Sequence, residues 1–250
     1  MQTTIYHNNV QYVANLNAPL DISIPMHSNS VLAWHIPNLT ISPVATENWV
    51  ADVNKGAPVN FNNINFNPHA HGTHTECVGH ISSSKESLNQ NLKQFFFVAK
   101  LISVTPNQIN NDSVITKESI QLSLVAEENI DTLIIRTLPN NDNKKLKNYS
   151  HSNPTYILKS AMEYMVDVGV KHLLIDLPSV DKEDDGGALV GHKIFWKYPE
   201  NTRKKCTITE LIYVSNSIKD GLYLLNLQFV PFENDASPSR PIIFNLNKVE

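Results

Sequence analysis

Cysteine is nearly missing from this chain: Cys77 and Cys206 are its two thiols. Two cysteines allow one bridge and exclude a disulfide framework, so a reducing compartment is expected. Charge is also scarce, at 18% of residues with a net charge of -4, which leaves no basic footprint for nucleic acid. No run approaches the roughly 18 consecutive apolar residues of a membrane span. The first residues, MQTTIYHNNVQYVANLNAPL, carry no basic segment followed by a long apolar run, so no signal peptide is expected and the cytoplasm is the default location. Internal repeats, low-complexity tracts, GxGxxG and P-loop patterns are all absent, which removes the usual dinucleotide- and nucleotide-binding signatures. What remains is a globular composition, 41% hydrophobic and rich in asparagine. Its length of 250 residues suits one domain, residues 1–250, large enough to fold without a structural metal.

The apolar pattern is that of an α/β protein. Gln11 to Ala14 and Asp21 to Ile24 read as short strands, the second ended by Pro25. Pieces around Val31 to Trp34 and Val59 to Phe66 read as strands or extended loops between Asn- and Pro-rich turns. Phe95 to Val104 reads as a buried strand. Ser119 to Glu128 and Pro154 to Val168 are helical in character, with Gly169 a C-cap for the second. Each precedes an apolar run, Thr132 to Arg136 and His172 to Ile175. Helix then strand, twice, predicts a partly parallel sheet covered by helices. Gly221 to Val230 and Pro241 to Phe244 close the chain as strands. Two charged loops, Asn140 to Asn148 and Asp181 to Asp185, are read as solvated turns.

Residues 68 to 80 read PHAHGTHTECVGH, with His69, His71, His74 and His80 inside twelve positions. An even scatter of ten histidines over 250 residues puts about 0.5 in such a window, so chance is a poor explanation. Glu76 sits among them, and imidazole with carboxylate is the donor set of Zn²⁺, Mn²⁺ and Fe²⁺ sites. In an extended segment, positions 74 and 76 point the same way and can share one ion. Gly72 permits a bend that swings His69 or His71 to the same point. Catalytic metals usually take three protein ligands and keep a position open, so further ligands are expected from distant parts of the chain. Cys77 beside Glu76 reads as a buried structural thiol rather than a nucleophile, and Cys206 as a bystander. Trp34 is read as either a pocket wall or core packing. His27, His35, His151 and His172 are left as ordinary.

The run resembles the HxGTHxDxPxH signature of the metal-dependent cyclase family, which includes bacterial-type kynurenine formamidases. Gly72, Thr73 and His74 stand for GTH, Glu76 for the acidic position and His80 for the last histidine. Asp21 to Met26 (DISIPM) is similar to the family's N-terminal DxSxPx strand, with an aromatic region at Trp34 after it. Ile175 to Val180 (IDLPSV), Gly191-His192, Thr209-Glu210-Leu211 and Ala236 to Ile242 (ASPSRPI) resemble later family segments in order and distance. Three positions depart from the pattern: Ala70 stands where the first histidine belongs, Glu76 replaces an aspartate, and Val78 replaces a proline.

The resemblance implies one domain with a mixed, barrel-like curled sheet flanked by helices. It implies a divalent metal, Zn²⁺ or alternatively Mn²⁺, as one or two ions. His69 (with His71 the alternative), His74 and Glu76 would surround the first, and Glu76, His192 and Glu210 the second. His80 would be the free acid/base, and Trp34 would line the substrate pocket. The implied activity is hydrolysis of an amide, lactone or ester bond in a small molecule, arylformamidase-like. The competing expectation, motivated by Glu76 and Val78, is a catalytically inactive metal- or small-molecule-binding member of the same fold. A structural zinc site is disfavoured because such sites usually carry several cysteines. The partner implied is a small-molecule substrate, with neither nucleic acid nor membrane, in a dimer or tetramer with the site near the subunit interface.

Overall fold

Three apolar runs become the buried wall of the molecule. In the computed structural model, which describes residues 1–124 and 130–249, they are β2 (Phe96–Val104), β3 (Thr132–Thr137) and β4 (His172–Ile175). Every residue of β3 and β4 is buried. Both strands pair in parallel, β3 with β2 on one side and β4 on the other. A strand covered on both faces has no polar side to show, so its sequence reads as a continuous apolar run. A fourth parallel strand, β5 (Thr207–Glu210), pairs with β4.

The remaining barrel strands are antiparallel to their neighbours: β1 (His74–Glu76), β6 (Gly221–Phe229) and β7 (Ala236–Lys248). The order β7-β6-β2-β3-β4-β5-β1 returns to β7, because Ala236 to Pro238 pair with Glu76 to His74. The result is a closed seven-stranded mixed barrel, which fits the curled sheet expected from the sequence. β7 is the longest strand, at 13 residues. It pairs with β6, β1, the two-residue strand Leu20–Asp21 and an N-terminal hairpin strand, Val10–Asn15.

Period-two alternation sorts the wall into two cores. Ile134, Leu174, Leu101, Leu225 and Ile243 fill the barrel interior. Leu133, Ile135, Leu173, Ile175 and Ile208 face outward under helices α1 (Lys117–Gln121), α2 (Lys159–Asp167) and α3 (Val190–Trp196), meeting Ile120, Met162, Met165, Phe195 and Trp196. Each such large apolar side chain contributes about 1.5–3 kcal/mol on burial. Gly169, at φ +95°, ends α2 as expected.

Several local expectations are revised. Only Leu20–Asp21 is a strand at the first proline-ended segment, and Ile22 continues as extended chain bonded to Pro241. Val31 to Trp34 forms no strand; Trp34 and His35 are left-handed, at φ +64° and +57°. Asn62–Asn65 pairs with Thr40–Pro43 in an exposed arm. The helix expected over Ser119 to Glu128 is α1, beginning at Lys117; its predicted positions 125–128 lie outside the described residues. α3, β5 and the hairpin Gln2–His7/Val10–Asn15 extend what the apolar pattern predicted. Among the described residues, no helix is long and apolar enough to cross a membrane.

Candidate metal centre

The site is built on the outer face of the barrel wall where β1 meets β5. His74 lies opposite Glu210 and Glu76 opposite Ile208. Directly opposed residues share a face, so both β1 side chains point to the same side, as their two-residue spacing requires. Thr75 and Thr209 point the other way and bond each other at 2.8 Å. Gly72 makes the bend that leads into β1, at φ +150°; a Cβ there would meet Met26 Cγ at 2.8 Å. Thr73 ties the bend down, donating to Leu211 O at 2.5 Å and accepting from Ile24 N–H at 2.8 Å.

His69, His74, Glu76, His80, His192 and Glu210 come together. His69 Nδ1 lies 3.2 Å from Glu76 Oε2, and His192 Nε2 lies 3.2 Å from Glu76 Oε1. His74 Nε2 lies 3.3 Å from Glu210 Oε2, and His192 Nε2 is 4.0 Å from Glu210 Oε1. His80 Nδ1 is 3.8 Å from Glu76 Oε2. His69, His74 and Glu76 offer donor atoms mutually within 4.8 Å, as do Glu76, His80 and His192, and His69, His80 and Asp235.

The choice between His69 and His71 has a geometric reason. His71 Nδ1 accepts from Asn67 N–H at 2.7 Å and its Nε2–H donates to Pro37 O at 2.9 Å, so both nitrogens are spent on the backbone away from the cluster. His69 leaves a turn in which Asn67 Oδ1 accepts its N–H and Ala70 bonds Asn67 O.

Two residues escaped the sequence reading. Asp181, expected in a solvated turn, is instead buried and accepts His192 Nδ1–H at 2.6 Å and the N–H groups of Gly191 and His192 at the start of α3. Asp235 lies 2.9 Å from His69 Nε2 and 3.4 Å from His80 Nδ1. Asp181 directly follows IDLPSV and Asp235 directly precedes ASPSRPI, so their adjacency to matched segments was the available signal. The other charged loop is not purely solvated either: Lys144 reaches the buried Asp176 at 2.7 Å.

The donor set fits a divalent cation. An ionised carboxylate only accepts, so the imidazole nitrogen facing Asp181, and that facing Asp235, carries a proton. His74 Nδ1–H likewise donates to Gly72 O at 3.0 Å. Each of the three histidines is thus held from outside by one nitrogen and aims the other at Glu76 or Glu210, the arrangement that orients metal-bound imidazoles. His74 Nε2 and both Glu76 carboxylate oxygens are buried without a hydrogen-bond partner. Leaving three such atoms bare costs about 1–3 kcal/mol each, more where charged. Protonation is one remedy: burial opposes the charge, but Asp235 and Glu76 at His69, and Asp181 and Glu76 at His192, outweigh it and push each pKa up to about 10. Burial would raise the Glu76 pKa, but the imidazoles of His80, His192 and His69 hold it well below the usual carboxylate range. A divalent cation would be the other remedy, since its binding competes with those protons.

His80 differs from the rest. It ends a 3₁₀ turn, Val78–His80, and its side chain is 30% exposed. Gly79 serves this turn by size: a Cβ would come within 2.0 Å of Glu86 O, so close approach requires glycine here. Cys77 is no nucleophile. Its thiol donates to Glu86 O at 3.4 Å, and burial pushes its pKa up to about 11. Neither cysteine is bridged. A cleft of about 330 Å³ opens onto the cluster, lined by Trp34, His69, His80, Glu183, Leu189 and His192 among others. Trp34 Nε1–H donates to His69 O at 3.1 Å.

The family model described as "Putative cyclase" matches residues 20–182, well over half of the chain. This protein belongs to the cyclase family. A kynurenine formamidase of Bacillus cytotoxicus is 26% identical over 226 residues, covering 90% of this chain and 96% of its own. Another, from Bacillus mycoides, is 24% identical over 225 residues with the same coverage. Among solved structures, a potential metal-dependent hydrolase with cyclase activity superposes with a TM-score of 0.67 at 17% identity, covering 91% of this chain and 97% of its own. An isatin hydrolase bound to the product analogue thioisatinate gives 0.65 at 14% identity, covering 92% of each chain. The barrel of this cyclase-family protein is thus the fold of that family, and its histidine cluster occupies the stretch on which the sequence resemblance rests.

Proposed function

We propose that this cyclase-family protein is a metal-dependent hydrolase of amide, lactone or ester bonds in small molecules, arylformamidase-like in its chemistry. One observation carries the reading: His74 Nε2 and both oxygens of Glu76 are buried, bare of hydrogen bonds and surrounded by imidazoles already anchored on their far side. The relatives' names, kynurenine formamidase and isatin hydrolase, support the bond type.

His69, His74 and Glu76 would hold one ion, and Glu76, His192 and Glu210 a second. Zn²⁺ suits the imidazole-carboxylate set, with Mn²⁺ the alternative. When bound, such an ion supplies a water acidified towards a pKa of about 7 and polarises the carbonyl under attack. The chain's own groups do the rest. Glu76 presents one oxygen toward His69 and the other toward His192, so it can join the two halves of the set. His80, the exposed imidazole, takes the proton of the attacking water and returns it to the leaving nitrogen or oxygen. Trp34 walls the cleft, whose volume suits a small molecule.

The test is metal analysis joined to a panel of N-formyl arylamines, aryl amides, lactones and cyclic imides. Turnover that a chelator abolishes and Zn²⁺ or Mn²⁺ restores is the expected result. Tight metal binding without turnover would instead favour an inactive binding member, the reading that Glu76 and Val78 keep in play. A chain that takes up neither ion sinks the enzyme reading. The same proposal includes one hydrolase domain over residues 1–250, supported by the single closed barrel. It includes a cytoplasmic location, supported by two buried, unbridged thiols. It includes a dimer or tetramer, supported by the resemblance alone; a monodisperse monomer in light scattering contradicts that part only.

A further inference from the structure

The resemblance puts the first histidine ligand at position 70, yet position 70 is a fully buried alanine whose carbonyl accepts from Ala33. His69 therefore approaches the cluster from one residue out of register. Its backbone is fixed, with N–H on Asn67 Oδ1 and carbonyl on Trp34 Nε1. Its ring is a separate problem. His74 and His192 have their outer nitrogens held by groups close in sequence, Gly72 and Asp181. His69 has no such neighbour. Its Nε2 is met instead by Asp235 Oδ2 at 2.9 Å, across 166 positions of chain.

Asp235 is well placed to hold a ring. It directly precedes β7, whose first residue, Ala236, is in register with Glu76. Asp235 O accepts Cys77 N–H at 3.0 Å, Asn234 O accepts Leu88 N–H at 2.8 Å, and Asn234 Nδ2 donates to Ala236 O. Its backbone is thus welded to the segment that carries Glu76 and His80. The same Oδ2 lies 3.4 Å from His80 Nδ1, so one carboxylate oxygen touches both turn-borne histidines.

We propose that Asp235 is the positioning residue of His69: it accepts the Nε2–H, fixes the ring with Nδ1 toward Glu76, and so makes a metal ligand of a histidine that sits one residue away from the family's position. The inference rests on the metal reading given above. It assigns Asp235 to the outside of the ring rather than to the ion.

Asparagine and alanine separate these roles. Asn keeps an oxygen that can accept the Nε2–H but is a poor replacement for a carboxylate ligand; Ala keeps neither. Zn²⁺ affinity, measured by competition with a chromophoric chelator, is expected to fall about 10–100-fold in Asp235→Ala, the usual cost of losing such an outer partner. Asp235→Asn is expected to lose less than the tenfold at the bottom of that range. In a His69→Ala background, Asp235→Ala should add nothing further. Proton NMR of the metal-free protein supplies an independent arm: a slowly exchanging, downfield ring N–H of His69, present in wild type and Asp235→Asn, lost in Asp235→Ala. Wild-type affinity in Asp235→Ala overturns the proposal. So does Asp235→Asn failing as badly as Asp235→Ala, which makes the carboxylate a ligand, and so does an undiminished effect when His69 is absent. If the wild type takes up no Zn²⁺, the hydrolase reading falls, while the His69 ring proton still decides whether Asp235 holds the ring.

Discussion

His74, Glu76 and Glu210 project from paired strands, whereas His69, His80 and Asp235 project from turns, and the two sets meet at Glu76. The strand-borne set is buried and fixed by registers on both sides of β1, to β5 and to β7. Moving one of its members by one residue would flip it through the sheet. The turn-borne set is partly exposed and held by side-chain hydrogen bonds. A one-residue displacement costs it only a new partner, and that is where the displacement from the family pattern is found. The rigid set provides the anchor, and the adaptable set provides access to solvent, where protons enter and leave.

The largest effect expected from breaking this contrast is at the anchor. His74→Ala should lose metal and turnover together, with a rate loss beyond the roughly 10⁴ that a general acid/base alone can account for. Metal stoichiometry and turnover on the same preparation check it; full metal content in this variant would show that the strand set is not the anchor. His80→Ala should behave differently, retaining nearly all its metal while losing about 10²–10⁴ in rate. If it sheds metal as completely as His74→Ala, the turn set ligates as firmly as the strand set and another base must be sought.

A third test uses a histidine outside both sets. His172 begins β4, bonds Thr207 Oγ1 through Nδ1 at 2.9 Å and lies against Phe97. Burial brings its pKa down to about 4, with smaller and partly opposing influences from Asp131, Lys171 and Arg203. His192 is equally enclosed, yet Asp181 and Glu76 carry it in the opposite direction. Because the folded pKa of His172 lies below its unfolded value near 6.5, the unfolded chain binds more protons between about pH 4 and 6.5. Stability therefore falls with acidification through that window, by about 3 kcal/mol in total from this residue. Denaturant midpoints at pH 7 and 4.5 should converge in His172→Gln relative to wild type; an unchanged gap would mean that other groups cause the acid sensitivity. The smallest effect is expected at Asp181→Ala, where Zn²⁺ affinity should drop about 10–100-fold as His192 loses its outer partner. An unaltered dissociation constant would show that the start of α3 orients His192 unaided.

The strand set was legible in the sequence because its logic is local. Two-residue spacing from His74 to Glu76 and a bend at Gly72 are written within five positions. Parallel strands β3 and β4 were legible because burial on both faces leaves an uninterrupted apolar run. Asp181 and Asp235 were not, since a single acidic residue in a loop looks the same whether it faces water or an imidazole. α3 was hidden for a related reason. Its preceding residue, Leu189, is left-handed at φ +47° with no side-chain cap, and its first N–H groups are satisfied by Asp181, ten residues upstream of Gly191. No window-based start signal includes such a partner. The need for glycine at position 79 is hidden too, because composition does not reveal that Glu86 O fills the space a side chain would need.

β7 gives this architecture a temporal order. It is translated after every strand it pairs with, and among the described residues it alone joins β6 to β1. Until it emerges, β1 and β6 are open sheet edges, templates for pairing with other chains. The ring closes by contacts between residues about 160 apart, such as Ala236 with Glu76, and long loops of this kind make for slow folding. Asp235 arrives with the same segment, so the nascent chain acquires its seal and its hold on His69 in one event. A ribosome stalled before residue 235 would display two open sheet edges and a centre without the Asp235 carboxylate.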